Sequence, residues 1–274
     1  MSLPEVLTPA AEIQPVTAPP GKGLPRERIE YLTAFRYVFT HPEWFKNLLI
    51  VAAFTLIPVL NTALLFGYLF EITEHLYRRL PGPYPLFQVR RFALYVTRGI
   101  WCYVIVQMVA VIVAPVVQVL IQGTTFGSMA VMRADERTGI IILAIVVPIV
   151  VTGFFLFLLA LMLVLTPLYM RGGLTQDFAL TFKFRWIGDY LRKMWVETLF
   201  VNVFMLLSML VLVPLGCVLF CYGALVASAM TTLASANLNW QLYELYLARG
   251  GEPIPLKEEV QGSKSDSFNP QPQT

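Results

Sequence analysis

Glu71, Glu74 and His75 are the side chains in this sequence that come closest to a metal-binding set. On a helix they project from one side, because residues three and four apart are neighbours on a helical surface. Di-iron carboxylate bundles use a Glu-x-x-His spacing, but they need two copies of it and two further glutamates. This sequence has one partial copy, so we interpret the three residues as a solvated helix end with a Glu74–Arg78 ion pair. No metal or other cofactor is predicted.

Gln107 and Asn202 are amides set well inside apolar runs, and Asn237 shares a helix face with Gln241 and Glu244. Amides between membrane helices usually join the helices through hydrogen bonds, which contribute about 0.6–2 kcal/mol each. A path for a solute would have the same pattern in sequence. We therefore keep Gln107, Asn202 and Asn237 as a candidate polar path through a passive channel or permease.

The sequence contains no arrangement that resembles a catalytic nucleophile with its base. Both histidines, His41 and His75, flank the first apolar run, and all three cysteines lie inside apolar runs. Arg171-Gly172-Gly173 lacks the flanking pattern of a phosphate-binding loop. No charged residue lies in the middle of a run, which argues against a proton-coupled pump. We predict no catalytic residues and therefore a protein that is not an enzyme.

The composition is that of a membrane protein. Of 274 residues, 57% are hydrophobic and 14% are charged, whereas a soluble domain carries about 25% charged residues. Four runs lack Asp, Glu, Lys, Arg and His, namely Asn47–Phe70, Gly99–Met132, Thr138–Met170 and Thr198–Tyr243. Each run reaches the length of about 20 residues that a spanning helix needs, and the last is long enough for two crossings. The basic residues form no dense cluster, which argues against a nucleic-acid partner.

The first run is broken at its midpoint by Pro58, and Asn61 favours a turn just after it. Suppose that this run enters and leaves the membrane on one side, that the next two runs cross once, and that the last crosses twice. Then 18 of the 20 Lys and Arg residues lie on the cytoplasmic side, whereas a single crossing by the first run gives at best 13. The positive-inside rule therefore favours an all-α protein with a re-entrant helical hairpin, four full spans and both termini in the cytoplasm.

The second limb of this hairpin is predicted over Thr62–Leu80. Gly67 within it costs about 1 kcal/mol relative to alanine in a helix, so its presence indicates close approach to another helix. Tyr68 is expected to place its hydroxyl near the lipid headgroups. Ala63, one turn nearer the bend, is expected to face lipid. The structural residues of the hairpin are thus predicted to be Pro58, Asn61, Gly67 and Tyr68.

The remaining elements follow from glycine, proline and charge patterns. An outer loop is predicted over Gly123–Gly139, and helix breaks are predicted at Arg171-Gly172-Gly173 and at Pro214-Leu215-Gly216. Interfacial amphipathic helices are predicted within Arg26–Thr40 and Thr175–Glu197. The chain divides into a disordered N-terminal tail (1–25), a polytopic membrane domain (26–255) and a disordered C-terminal tail (256–274).

Three groups of residues follow one another along the chain. They are Ile57-Pro58-Val59-Leu60 with Phe66-Gly67-Tyr68, then Asp177-Phe178-Ala179-Leu180 before a basic amphipathic helix, then Leu242-Tyr243-Glu244-Leu245-Tyr246-Leu247 leading to Gly250-Gly251-Glu252-Pro253. In this order they resemble a bacterial and archaeal membrane family known as domain of unknown function 4013. The resemblance covers about Glu30 to Pro255 and departs at Gln88-Val89-Arg90-Arg91, where family members carry an acidic, Trp-containing segment. It implies a prokaryotic inner-membrane protein and brings no activity, substrate or catalytic residue.

These observations predict a non-enzymatic membrane scaffold or partner-binding protein. Its partners would be the lipid bilayer and either another membrane protein or a second copy of the chain. A passive channel or small-solute permease is the alternative. A lipid-active membrane enzyme is the second alternative, because only the Glu71 cluster could supply its chemistry.

Overall fold

The computed structural model describes residues 27–57, 60–134, 136–218 and 221–256. Within these ranges the all-helical prediction is confirmed, and no strand is present. The helices are α1 (Tyr31–Val38), α2 (Trp44–Phe54), α3 (Leu60–Tyr77), α4 (Phe92–Ala134), α5 (Glu136–Thr175), α6 (Phe178–Thr181), α7 (Phe184–Val218) and α8 (Cys221–Ala248), with a 3-10 turn at Val89–Arg91. The predicted N-terminal tail, nearly all of the predicted C-terminal tail and Pro58 lie outside the described residues.

Three of the described helices are long and apolar enough to cross a membrane. They cover the segments Val89–Gly127, Ala144–Thr175 and Ala179–Val218, and therefore correspond to α4, α5 and α7. Helix α8, predicted to be the fourth span, is not among them because Ser, Thr and Asn lower its hydropathy. The chain is thus suited to a membrane, while the number of crossings stays a prediction.

Helix α8 lies at the centre of the bundle, where α1, α2, α3 and α7 all pack against it. Near one end, the side-chain Oε1 of Gln241 accepts a hydrogen bond from the Glu30 backbone nitrogen at 2.7 Å. Near the other end, the Tyr222 hydroxyl donates to the Leu49 carbonyl oxygen at 3.2 Å. Helices α1 and α2 therefore run antiparallel to α8 along most of its length. The many Ala, Ser and Thr residues of α8 allow these close contacts.

Helices α2 and α3 form the two limbs of the predicted hairpin. Asn61 helps to close the turn, because its Nδ2 donates to the Thr55 carbonyl oxygen at 3.1 Å. The limbs pack on different partners: α2 mainly contacts α8, and α3 mainly contacts α4. Each limb therefore packs mainly on a later helix.

Helices α4 and α5 pair antiparallel and extend beyond the rest of the bundle. They contain 43 and 40 residues, or about 65 and 60 Å at 1.5 Å per residue. We call the part that is not packed on α3 (residues 106–134 and 136–164) the arm. Its described side chains are mostly exposed and apolar, for example Val111 at 72% and Ile149 at 65%.

The predicted outer loop over Gly123–Gly139 is wrong, because α4 continues to Ala134 and α5 begins at Glu136. Two threonines in this segment bond to their own helix. The hydroxyl of Thr125 donates to the Ile121 carbonyl oxygen at 2.7 Å, and that of Thr124 donates to the preceding turn in the same way. Such bonds satisfy the hydroxyl inside an apolar helix without ending it.

The two other predicted helix breaks are also wrong. Helix α5 continues through Gly172 and Gly173 to Thr175. A Cβ at Gly173 would overlap the ring of Phe70, so this glycine permits helix packing rather than a turn. Helix α7 continues through Pro214 to Val218. Membrane helices tolerate proline where neighbouring groups satisfy the freed backbone.

Candidate functional site

The α3–α4 crossing is the closest helix contact around the hairpin. A Cβ at Gly67 would overlap the carbonyl oxygen of Tyr95, and a Cβ at Gly99 would overlap that of Ala63. On α3, Gly67 thus faces the backbone of Tyr95, and Ala63, four residues earlier, faces Gly99. Small residues at this spacing allow two membrane helices to approach closely. Ala63 is only 4% exposed, so the expectation that it faces lipid is wrong. The crossing includes Ala63 because antiparallel helices meet over two turns rather than one.

Tyr68 lies inside the protein, with no exposed surface, and the depth of its hydroxyl relative to the lipid headgroups stays a prediction. Its hydroxyl accepts a hydrogen bond from Asn47 Nδ2 at 2.8 Å and donates to the Pro85 carbonyl oxygen at 2.8 Å. The Oδ1 of Asn47 accepts from the Phe87 backbone nitrogen at 2.9 Å. The proline-rich loop after α3 is therefore bound to both limbs through the buried amide of Asn47 and the hydroxyl of Tyr68.

Tyr84 fixes the same loop to α1. It is 2% exposed, and its hydroxyl donates to the Val38 carbonyl oxygen at 2.7 Å. Burial raises the pKa of the Tyr84 phenol above its ordinary value. The hydroxyl therefore keeps its proton and remains a hydrogen-bond donor at neutral pH.

The acidic residues of α3 are used in ion pairs. Glu71 pairs with Arg91. Glu74 pairs with Arg78 at 2.8 Å, as predicted, and also with the buried Arg98 at 3.2 Å. No set of three or more His, Cys, Asp or Glu side chains in the described part of the chain could hold a metal ion. These carboxylates therefore join α3 to α4 rather than form a metal site.

The structure does not bring together the three residues of the predicted polar path. Gln107 is exposed on α4. Asn202 lies between α5 and α7, where its Nδ2 contacts the Thr166 hydroxyl oxygen at 3.4 Å. Asn237 faces α1 and accepts a hydrogen bond from Gln241 Nε2 at 2.8 Å. Of the three, Asn202 lines the two cavities described next.

A cavity of about 210 Å³ lies between α3, α5, α7 and α8, and we call it the inner chamber. A second cavity of about 330 Å³, the outer chamber, lies between α5, α7 and α8. The two share four lining residues, Met162, Asn202, Met205 and Ser235. They are therefore neighbouring parts of one space, with Asn202 and Ser235 at their junction.

The polar residues around this space lie mainly on α8. Thr231 and Ser235 line the outer chamber, and Ser235 and Asn239 line the inner one. These three residues are spaced four apart, so they share one face of the helix. The spacing of these residues is visible in the sequence, but small hydroxyls in an apolar helix commonly bond to their own backbone, so the pattern alone does not indicate a cavity.

One end of the bundle carries four large aromatic side chains, and we call it the aromatic end. They are Trp186, Tyr190, Tyr243 and Tyr246. Residues 249–256, which we call the strap, cover this end. The indole Nε1 of Trp186 donates to the Glu252 carbonyl oxygen at 2.8 Å. The Ile254 backbone nitrogen donates to the Tyr243 hydroxyl at 2.9 Å. Tyr243 also lines the inner chamber, so the strap is bonded to a wall residue of that chamber.

Arg171 is a buried cation near the aromatic end, at 2% exposure. Its guanidinium lies 5.1 Å from the centre of the Trp186 ring, and its Nε donates to the Leu180 carbonyl oxygen. Its Nη1 has no hydrogen-bond partner among the described residues. Arg171 thus joins the end of α5 to α6 and α7.

Comparisons with known proteins give one match. A family model described as "Protein of unknown function (DUF4013)" matches residues 50–221, which run from α2 to the start of α8. No curated protein and no solved structure matches the chain.

Proposed function

Because the chain belongs to the DUF4013 family, which is defined only as proteins of unknown function, we propose a role from its own geometry. The chain is a multi-pass protein of a prokaryotic inner membrane that acts as a non-enzymatic scaffold. It holds a membrane helix of a partner protein against the arm. The observation that carries this proposal is the length of uncovered apolar surface on α4 and α5.

The proposed topology follows from charge. Helices α4, α5, α7 and α8 cross the membrane, and the hairpin of α2 and α3 enters and leaves on the cytoplasmic side. This arrangement leaves 18 of the 20 Lys and Arg residues in the cytoplasm, together with both termini. It agrees with the positive-inside rule.

The arm is longer than a bilayer requires. From the level where Asn202 contacts Thr166, α5 continues about 45 Å to Glu136, whereas α7 continues only about 24 Å to Val218. The hydrocarbon layer is about 30 Å thick. The arm therefore extends about 20 Å beyond the turn between α7 and α8. Lipid covers apolar side chains within the bilayer, and a protein partner would cover those of the extra length.

The surface of the arm suits a helix as partner. Gly123 and Gly127 lie four apart on α4, and a Cβ at either would have no neighbour within 4 Å. Small residues at this spacing allow another membrane helix to approach closely. The described residues of this chain provide no helix that fills the space. Gly153 on α5 is equally open and serves as the matched control.

The test is capture of a partner from native membranes in mild detergent by the parent, Gly127→Leu and Gly153→Leu. We expect a stoichiometric partner, or a second copy of the chain, to be retained by the parent and by Gly153→Leu. Gly127→Leu should lose it, because leucine blocks close approach without touching the rest of the chain. Equal retention by both variants, or no retained protein at all, would contradict the proposal.

Solute flux into liposomes distinguishes the alternative of a passive channel. The purified chain should produce no flux of ions or small neutral solutes above protein-free liposomes. Flux that is carried by the chain alone, and that Asn202→Leu abolishes, would favour the permease over the scaffold. Lipid turnover that Glu71→Gln abolishes would favour the lipid-active enzyme.

A further inference from the structure

The inner and outer chambers form a space that is open to the bilayer and bordered by buried residues toward the aromatic end. The outer chamber is lined by side chains that are themselves partly exposed on the lipid-facing side, for example Met162 at 41% and Met209 at 45%. The inner chamber is lined by buried residues such as Val201 and Tyr243, and Tyr243 is bonded to the strap. A molecule would therefore enter from the membrane, between α5 and α7, rather than from water.

The chemistry of the lining selects a neutral molecule. Among the described residues, no charged side chain lines either chamber. A charged group in this position would lose its hydration without gaining a counter-ion, which is costly within a membrane. The polar residues of the lining are all uncharged. They include the amides of Asn202 and Asn239 and the hydroxyls of Thr166 and Ser235, together with Thr73 in the inner chamber and Thr231 and Thr232 in the outer one.

The hydrogen bonds of these groups define what they can still bind. The hydroxyl of Thr166 donates to the Met162 carbonyl oxygen at 2.8 Å, and that of Ser235 donates to the Thr232 carbonyl oxygen at 2.6 Å. Their oxygens therefore remain acceptors, because each hydroxyl has one proton and two lone pairs. The Asn239 amide supplies donors as well as an acceptor. A ligand hydroxyl, which both donates and accepts, matches this set.

We propose that the two chambers bind a neutral lipid that carries a free hydroxyl, a class that includes long-chain alcohols and monoacylglycerols. The ligand hydroxyl lies at the junction beside Asn202 and Ser235. The hydrocarbon chain passes through the outer chamber toward the bilayer. The outer chamber shares Phe155, Leu158, Leu159 and Met162 of α5 with the arm, but neither chamber is lined by α4, which carries Gly123 and Gly127. The test of this site therefore does not depend on the scaffold proposal.

The experiment uses the full chain in phosphatidylcholine liposomes and a photoactivatable, alkyne-tagged long-chain alcohol as probe. We expect saturable labelling of α5, α7 or α8 that an excess of untagged alcohol abolishes. Two further probes carry the same chain on a carboxylate and on phosphatidylcholine. We expect these probes to label the site at least about fivefold less at equal concentration, which corresponds to about 1 kcal/mol.

Variants test the contact with the hydroxyl. Asn202→Leu should weaken labelling by the alcohol about fivefold, which corresponds to loss of one hydrogen bond. Gln107→Leu, the same type of change on the exposed face of α4, should be labelled to the same extent as the parent.

Labelling that an excess of untagged alcohol does not reduce would overturn the proposal, since it would show that there is no discrete site. Equal labelling by the phosphatidylcholine probe would show that bulk acyl chains fill the space and would also overturn it. If Asn202→Leu fails to fold, the comparison of the three probes on the parent decides the question.

Discussion

Gly67 on α3 lies directly against the backbone of Tyr95 on α4, with no room for a Cβ between them. One turn away, Gly99 of α4 lies in the same way against Ala63. Helix α3, the second limb of the hairpin, and α4, the first of the long apolar helices, are therefore joined by backbone contact. Helix α5 packs on α4 in turn, so this contact links the hairpin to the arm.

Gly67→Ala should destabilise the protein, because the added methyl group forces α3 and α4 apart. Overpacking of this kind costs about 1–3 kcal/mol. Gly153→Ala is the matched control, since a Cβ there meets nothing within 4 Å, and alanine favours a helix by about 1 kcal/mol. Thermal unfolding in detergent measures both. A Gly67→Ala protein that melts with the parent would mean that α3 and α4 are not in backbone contact.

Tyr68→Phe should loosen the proline-rich loop. The change removes the hydroxyl that joins Asn47 to the Pro85 carbonyl oxygen, and unsatisfied buried groups cost about 1–3 kcal/mol each. We expect a lower melting temperature and faster proteolysis within residues 81–88. Tyr222→Phe, which removes one hydrogen bond from a residue that is 41% exposed, should change neither. Equal proteolysis of the two variants would refute the role given to Tyr68.

Glu74→Gln should be among the most destabilising charge changes in the chain. It removes the carboxylate that faces Arg98, whose side chain is 5% exposed, and an unpaired buried charge costs about 3–5 kcal/mol. A double variant with Arg98→Met should recover much of this loss, because it removes the buried charge as well. Glu43→Gln breaks an exposed pair with Lys46 and should cost less than about 1 kcal/mol. A double variant whose melting temperature is no higher than that of Glu74→Gln would contradict this explanation.

The sequence predicts the helical class and the hairpin limbs well, because length, charge and proline act locally. The limits of α3 fall within three residues of the predicted second limb. Ion pairing between Glu74 and Arg78 follows from helical spacing alone. These features depend on residues that are near one another in the chain.

The helix breaks and the site could not be predicted in the same way. Glycine marks a turn at Gly250, where φ is 73°, but it marks close packing at Gly67 and Gly173, and only the neighbouring helix distinguishes the two uses. The three residues of the predicted polar path do not come together for a similar reason. Asn202 and Asn237 are alike in sequence, yet one faces a cavity and the other bonds to Gln241 against α1. Which face a residue takes is decided by helix rotation, which sequence patterns of uniformly apolar helices do not reveal.

The central claim is that the hairpin enters and leaves the membrane on one side, so that α4 begins where the N-terminal segment lies. Labelling of single cysteines with a membrane-impermeant maleimide, in sealed vesicles of known orientation and with the three native cysteines replaced, tests it directly. Suitable positions are Lys46 in the first turn of the first limb, Arg90 after the second limb and Arg133 on the arm, all of which are exposed. We expect Lys46→Cys and Arg90→Cys to react from the cytoplasmic side and Arg133→Cys from the other. Reaction of Lys46→Cys and Arg90→Cys from opposite sides would show that the first apolar run crosses the bilayer and would contradict the account.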